Sequence, residues 1–145
     1  MERILVIGYG NTLRRDDGAG PEVARRVAEL GLPSIDVLEA HQLLPEHAEL
    51  LSRVERAIFV DASLADIPDQ ICLEPVAPDP TAELGTHAAD PGGMLALARV
   101  LFGHAPQAWI ILLPAVDLDI GEGLSPAMED AGQQAVSLIR DFSQP

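Results

Sequence analysis

The sequence predicts an α/β domain whose mainly parallel sheet lies between two layers of helix. Three observations carry that prediction. Short, apolar, β-branched runs recur at 3–7 (Arg-Ile-Leu-Val-Ile), 57–63 (Ala-Ile-Phe-Val-Asp-Ala-Ser) and 108–116 (Ala-Trp-Ile-Ile-Leu-Leu-Pro-Ala-Val). Segments with a helical period separate them. The first and last runs are apolar on both faces, as strands sandwiched between helical layers must be.

The elements follow in order. Residues 3–7 form the first strand. A helix runs from about Gly18 or Pro21 to Leu30, because Pro21 suits only a first helical turn. Val23, Ala24, Val27 and Leu30 share its apolar face, and Arg25 and Arg26 turn to water. "IDVLEA" (35–40) is the second strand, and "LPEHAELLSRV" (44–54) a short helix with Pro45 in its first turn. The third strand, 57–63, brings Asp61 to its carboxyl end. "ICLEPV" (71–76) reads as a weaker fourth strand near an edge. Residues 77–93, "APDPTAELGTHAADPGG", are a loop of a length that is usually functional. A helix over 94–103 is stopped by Gly103, and 108–116 is a buried strand. The last helix, 124–142, has Ser125 as N-cap and Pro126 at its first position. No internal repeat or linker divides the chain.

Composition bounds what such a domain does. The 145 residues suffice for one domain, 1–145, and 48% of them are hydrophobic, which fits a packed core and excludes disorder. The net charge is −14 and every basic residue is arginine. That balance repels nucleic acid and anionic lipid, so neither is an expected partner. No apolar run reaches the roughly 18 residues of a membrane span. The opening residues lack the basic region of a signal peptide. Cys72 is the single cysteine, which fits a reducing cytoplasm. No stable oligomer is inferred.

The loop after the first strand, within "ILVIGYGNTLRRDDGAG" (4–20), holds the chemistry. Gly8 and Gly10 begin a dinucleotide fingerprint, but the third glycine position is Leu13, and Asp16 and Asp17 stand where a pyrophosphate would bind. A receiver-type phospho-acceptor domain would pair acids after strand 1 with an aspartate after strand 3, as Asp16, Asp17 and Asp61 do. It would also need a lysine, and there is none. The bland reading is that the acids only cap the first helix, yet two adjacent aspartates cannot share one cap.

With strand 1 beside strand 3, Asp17 and Asp61 face one crevice at the carboxyl ends of the strands. An unpaired acid pair there invites a cation. Among the histidines, His47 is expected to face solvent and His104 sits just past a helix end. His87, in the long loop, is the candidate nitrogen donor, although a lone loop histidine is more often solvated. Two carboxylates and an imidazole suit a borderline transition metal. No serine or cysteine nucleophile system is evident. Cys72 is expected in the core, and Ser63 and Ser125 have no visible base partner. Water is therefore the expected nucleophile, with Asp17 or Asp61 as its general base.

At this point the residues resemble the maturation endopeptidases of nickel–iron hydrogenases. "GYGNTLRRDDGAG" (8–20) is similar to that family's opening G-x-G-N-x-L-x-x-D-D/E-x-x-G. "IFVDA" (58–62) resembles its second acidic motif, "GTHAADPGGMLAL" (85–97) its histidine segment, and "GEGLSPAMEDA" (121–131) its G-x-x-L-S-P motif. The resemblance implies a three-layer α/β/α fold of the phosphorylase/hydrolase-like kind, with a twisted five-stranded sheet. It implies metal ligands at Asp17, Asp61 and His87, with nickel supplied by the precursor. The implied activity, aspartate-type or metal-assisted, is one cut in the hydrogenase large-subunit precursor. That cut removes a C-terminal extension after a His or Arg following the nickel-holding cysteine motif. Gly8, Gly10, Asn11 and His41 are the candidate substrate-binding residues. Where many members carry an Asp-Gly-Gly-Thr turn, this chain has "EAHQLLPEH" (39–47), which resembles the subgroup that processes soluble cytoplasmic hydrogenases.

Overall fold

The computed structural model describes residues 2–64, 70–80 and 90–144. Five strands, β1 (Ile4–Tyr9), β2 (Ile35–Ala40), β3 (Arg56–Ser63), β4 (Glu74–Val76) and β5 (Gln107–Pro114), form one sheet in the order β2-β1-β3-β5-β4. All neighbours are parallel except β4, which runs antiparallel to β5. A receiver-type sheet would have the order 2-1-3-4-5; here β5 separates β3 from β4. Strands β1 and β3 lie side by side in the middle, in the register Ile7↔Phe59 and Gly8↔Val60.

Alternation along these strands builds two cores. Ile4, Val6, Ile58, Val60, Ile111 and Leu113 pack on one face against α1 (Ala19–Glu29) and α4 (Pro126–Ser143), through Val23, Val27, Met128 and Ile139. Leu5, Ile7 and Phe59 pack on the other against α2 (His47–Leu51) and α3 (Pro91–Phe102), through Leu51, Met94 and Leu95. This is the three-layer α/β/α arrangement, and side chains next along β1 and β3 after Ile7 and Phe59 inherit the α2/α3 side.

Boundaries differ from expectation where side chains cap the backbone. The helix α3 begins at Pro91 rather than 94, because the Asp90 carboxylate accepts a hydrogen bond from the Gly93 amide at 2.6 Å. Ser125 caps α4 as expected, accepting from Met128 N at 3.2 Å, with Pro126 in the first turn. The fourth strand is only three residues long. Pro75 sits in it on the sheet's edge, where its missing N–H costs no central ladder bond. Cys72 lies outside this strand and is exposed, which corrects the expected core position. Among the described residues, no helix is long and apolar enough to cross a membrane.

Candidate active site

The crevice at the carboxyl ends of β1 and β3 is built by two turns. Strand β1 ends at Tyr9, and Gly10 adopts φ 148°, so close to the following turn that a Cβ there would lie 2.0 Å from the Asp17 carbonyl oxygen. Asn11 then makes an Asx turn, its Oδ1 accepting from Leu13 N at 2.9 Å. The Asn11 amide donates to Asp17 Oδ2 at 2.8 Å, and the Asp17 amide donates to Arg14 O at 3.0 Å. The loop thus closes on the Asp17 carboxylate. Gly8, Gly10 and Asn11 bring chain against chain here, and the close approach at both glycines is to the backbone of residues 17–20.

The two acids are not helix caps. A 3₁₀ turn over Arg15–Gly18 leads into α1, and neither end carries a side-chain cap. Asp16 is fully buried, and its carboxylate takes hydrogen bonds from Val116 N, Asp117 N, Ser125 N and Ser125 Oγ at 2.7–3.0 Å. Burial alone would raise its proton affinity, but the four donors outweigh burial and hold it below the usual carboxylate range. Ser125 is therefore not an isolated hydroxyl: it caps α4 and binds Asp16.

Asp61 lies one residue beyond the last β1–β3 pair, Gly8↔Val60, and opposite Leu112 of β5. Burial lifts its pKa from the ordinary 3.8 to about 6; a hydrogen bond from the Tyr9 hydroxyl opposes the rise and the negative charge of Asp17 adds to it. Asp17 and Asp61 thus act on each other across the crevice at the ends of β1 and β3. Tyr9 was not a candidate from the sequence. Its hydroxyl is pushed well above its ordinary value, by burial first and then by Asp61 and Asp90. It stays a neutral donor that holds Asp61.

His41 follows β2 directly and is exposed on the same rim, beside the Gly10 amide that donates to Ala40 O at 3.1 Å. His47 is half-buried rather than solvent-facing; its Nδ1 accepts from Leu44 N at 3.1 Å and braces the start of α2. The His104 Nε2 pairs with Val54 O at 2.8 Å. His87 falls in 81–89, outside the described residues. Among the described residues, no three histidine, cysteine, aspartate or glutamate side chains gather as metal ligands. The donors at hand are two carboxylates, one held partly protonated near neutral pH by burial and by the other. A cation between them would relieve that repulsion, so the donor set fits one.

No protein-family model matches the chain, and no curated protein does. Solved structures do. The NiFe hydrogenase maturation protease HycI from Thermococcus kodakarensis KOD1 superposes with a TM-score of 0.73 at 22% identity, over 97% of this chain and 92% of that one. This chain has its fold. The NiFe hydrogenase maturation protease HybD from Thermococcus kodakarensis gives 0.70 at 23% identity, over 98% and 99%. The hydrogenase maturating endopeptidase HybD from E. coli gives 0.70 at 20% identity, over 97% and 94%. The fold shared with these proteases holds the Asp17–Asp61 crevice at the sheet's carboxyl edge.

The acid pair makes a prediction for stability. The folded pKa of Asp61 lies above its unfolded value, so ionised Asp61 opposes folding. That penalty is complete above about pH 6 and vanishes below about pH 4. Asp61→Asn keeps an oxygen for Tyr9 and loses the charge. It should stabilise the protein by about 1–2 kcal/mol at pH 8, discounting the shift for partial exposure. At pH 4 the two proteins should melt together. Denaturant titrations at both values check this, and an equal gain at both would dismiss the charge as the cause.

Proposed function

We propose that this protein is a hydrogenase maturation endopeptidase that removes the C-terminal extension of a nickel-loaded large-subunit precursor. The observation that carries the reading is the coupled acid pair, Asp17 and Asp61, set in the carboxyl-end crevice of a maturation-protease fold. The motifs at 8–20, 58–62, 85–97 and 121–131 support it in the same order along the chain. The segment 39–47, which has no Gly-Gly turn, favours a soluble cytoplasmic hydrogenase as source of the substrate.

In this reading nickel arrives as part of the substrate, held by the precursor's own cysteines. Asp17, Asp61 and His87 are the residues of this chain that would meet it. Bound there, the ion supplies a fixed reference point for the scissile peptide and a Lewis acid beside its carbonyl. The chain's own work is to orient and to move a proton. Asn11 and the turn behind it hold Asp17 by one oxygen, which directs the carboxylate. Asp61, oriented by the Tyr9 hydroxyl, would serve as the general base: it would take a proton from water as the oxygen adds to the carbonyl carbon, then give it to the departing amine. Tyr9 keeps Asp61 oriented through both steps.

The test is direct. A precursor with its extension is incubated with the protein, once nickel-loaded and once nickel-free, and the products are weighed by mass spectrometry. The loaded precursor should be cut once, after the His or Arg that follows its cysteine motif, and the nickel-free one should stay whole. A loaded precursor left intact would refute the protease reading, and equal cutting of both would refute the role of nickel.

A further inference from the structure

We propose that Asp16 is a positioning residue for Asp17: it clamps the turn after β1 onto the loop between β5 and α4 and so fixes where Asp17 is held. The consequence for processing rests on the endopeptidase reading; the clamp itself does not. All four hydrogen bonds to the Asp16 carboxylate come from that one loop. Ser125 N reaches Oδ1 at 2.7 Å, while Val116 N, Asp117 N and Ser125 Oγ reach Oδ2 at 2.9, 3.0 and 2.8 Å. Backbone bonds run beside them: Asp16 N to Asp117 O at 2.9 Å, Arg15 N to Gly121 O at 3.0 Å, and Gly121 N to Leu13 O at 2.8 Å. These bonds account for the whole of the buried carboxylate, and none of them goes to the crevice.

The residue between clamp and loop explains why so many bonds are spent. Arg15 has φ 42°, the left-handed region, and is the single described residue with a side chain at positive φ. That conformation is unfavourable for a residue with a Cβ and persists only where its surroundings over-determine it. The Arg15 amide and the Asp16 carboxylate are those surroundings. With Arg15 so turned, Asp16 points to the 116–125 loop, while Asp17 reaches back to the Asn11 amide. Two adjacent acids are thereby separated in role. Without the clamp the turn would relax toward ordinary φ, and Asp17 would swing away from Asn11.

The experiment compares wild type with Asp16→Asn, which keeps the shape but sets an amide group against backbone N–H donors. Amide exchange followed by NMR reports the clamp independently of activity. The Asn11, Val116, Asp117 and Ser125 amides should exchange at least about tenfold faster in the variant, while core amides of β1 and β3 hold their relative protection. Processing of nickel-loaded precursor should fall at least about tenfold at a temperature where the variant is fully folded, an effect that loss of stability alone does not produce. Unchanged exchange at Asn11 in the folded variant would overturn the proposal, as would undiminished processing. If Asp16→Asn does not fold, Ser125→Ala carries the test, since it deletes one of the four bonds: faster exchange at Asn11 supports the clamp, and unchanged exchange overturns it. A wild-type protein that fails to cut the precursor refutes the endopeptidase reading and leaves the exchange result to decide on the clamp.

Discussion

Asp17→Asn and Asp61→Asn should each abolish processing of the nickel-loaded precursor, by about a thousandfold or more, while leaving the protein folded. Each change replaces an oxygen anion by an amide of nearly the same shape. Asn at 17 still offers a carbonyl oxygen to the Asn11 amide, and Asn at 61 still offers one to Tyr9, so the turns that hold them survive. What disappears is the charge. In the proposed reaction the proton acceptor at 61 goes with it, and general base catalysis is worth about a hundredfold to ten-thousandfold by itself. At 17 the proposed reaction would lose a donor to the precursor's nickel, and an amide oxygen is a far weaker ligand than a carboxylate. Asp141→Asn controls for net charge: it removes the same unit of charge from an exposed position at the end of α4 and should leave the rate within about twofold. His87→Ala should match the two asparagine variants if His87 plays the part that the family resemblance implies. The assay is gel mobility of the precursor over time, with circular dichroism on each variant. Complete cutting by either asparagine variant would end the acid-pair account.

The architecture was legible because its signals are local. Strands buried on both faces read as apolar runs, and Pro21 and Pro126 mark first helical turns whatever lies across from them. The crevice was legible too, since topology alone brings the end of β3 beside the start of the β1 loop. What the sequence hid depends on partners distant in the chain. Asp16 and Asp17 are chemically the same residue, and only the amides at 116, 117 and 125 tell them apart. His47 looks like a solvated helix residue until the Leu44 amide is seen pointing at it. Tyr9 was recoverable: Leu5, Ile7 and Tyr9 alternate onto one face, as do Ala57, Phe59 and Asp61, and the register Ile7↔Phe59 makes Tyr9 and Asp61 neighbours. That register needs the β1–β3 pairing, which a doubly wound sheet with strand 1 beside strand 3 supplies. Asp90 was obscured by the Pro- and Gly-rich stretch around it, where its capping of Pro91–Phe102 looks like one more loop acid.

Gly8→Ala should destroy the fold, whatever Gly8 does for the substrate. A Cβ on residue 8 would lie 1.9 Å from the Gly20 carbonyl oxygen, 2.5 Å from its carbon and 2.8 Å from the Ala24 Cβ. Two of these atoms belong to the backbone of α1, so no side-chain rotation relieves the clash. The helix itself must move off the sheet. Gly20 forbids the move from the other side, because its own missing Cβ lets it sit against Tyr9 O and Val60 O, each of which a Cβ would approach to 2.5 Å. Overpacking a close-packed core by one methyl ordinarily costs about 1–3 kcal/mol. A backbone collision this short exceeds that, against a total stability of about 5–15 kcal/mol. The melting temperature should fall by more than about 10 °C, or the protein should be recovered only as aggregate. Gly31→Ala isolates the alternative cause. Gly31 has φ 64° with nothing within 4 Å of an added Cβ, so that variant pays for conformation alone and should lose only about 1 kcal/mol. Thermal unfolding followed by circular dichroism decides it: a Gly8→Ala protein melting within about 3 °C of wild type is incompatible with the packing seen here. The spacing Gly8 to Gly20 is then a packing rule, in which two bare backbones let α1 descend onto β1 and β3 far enough for Asp17 to share a crevice with Asp61.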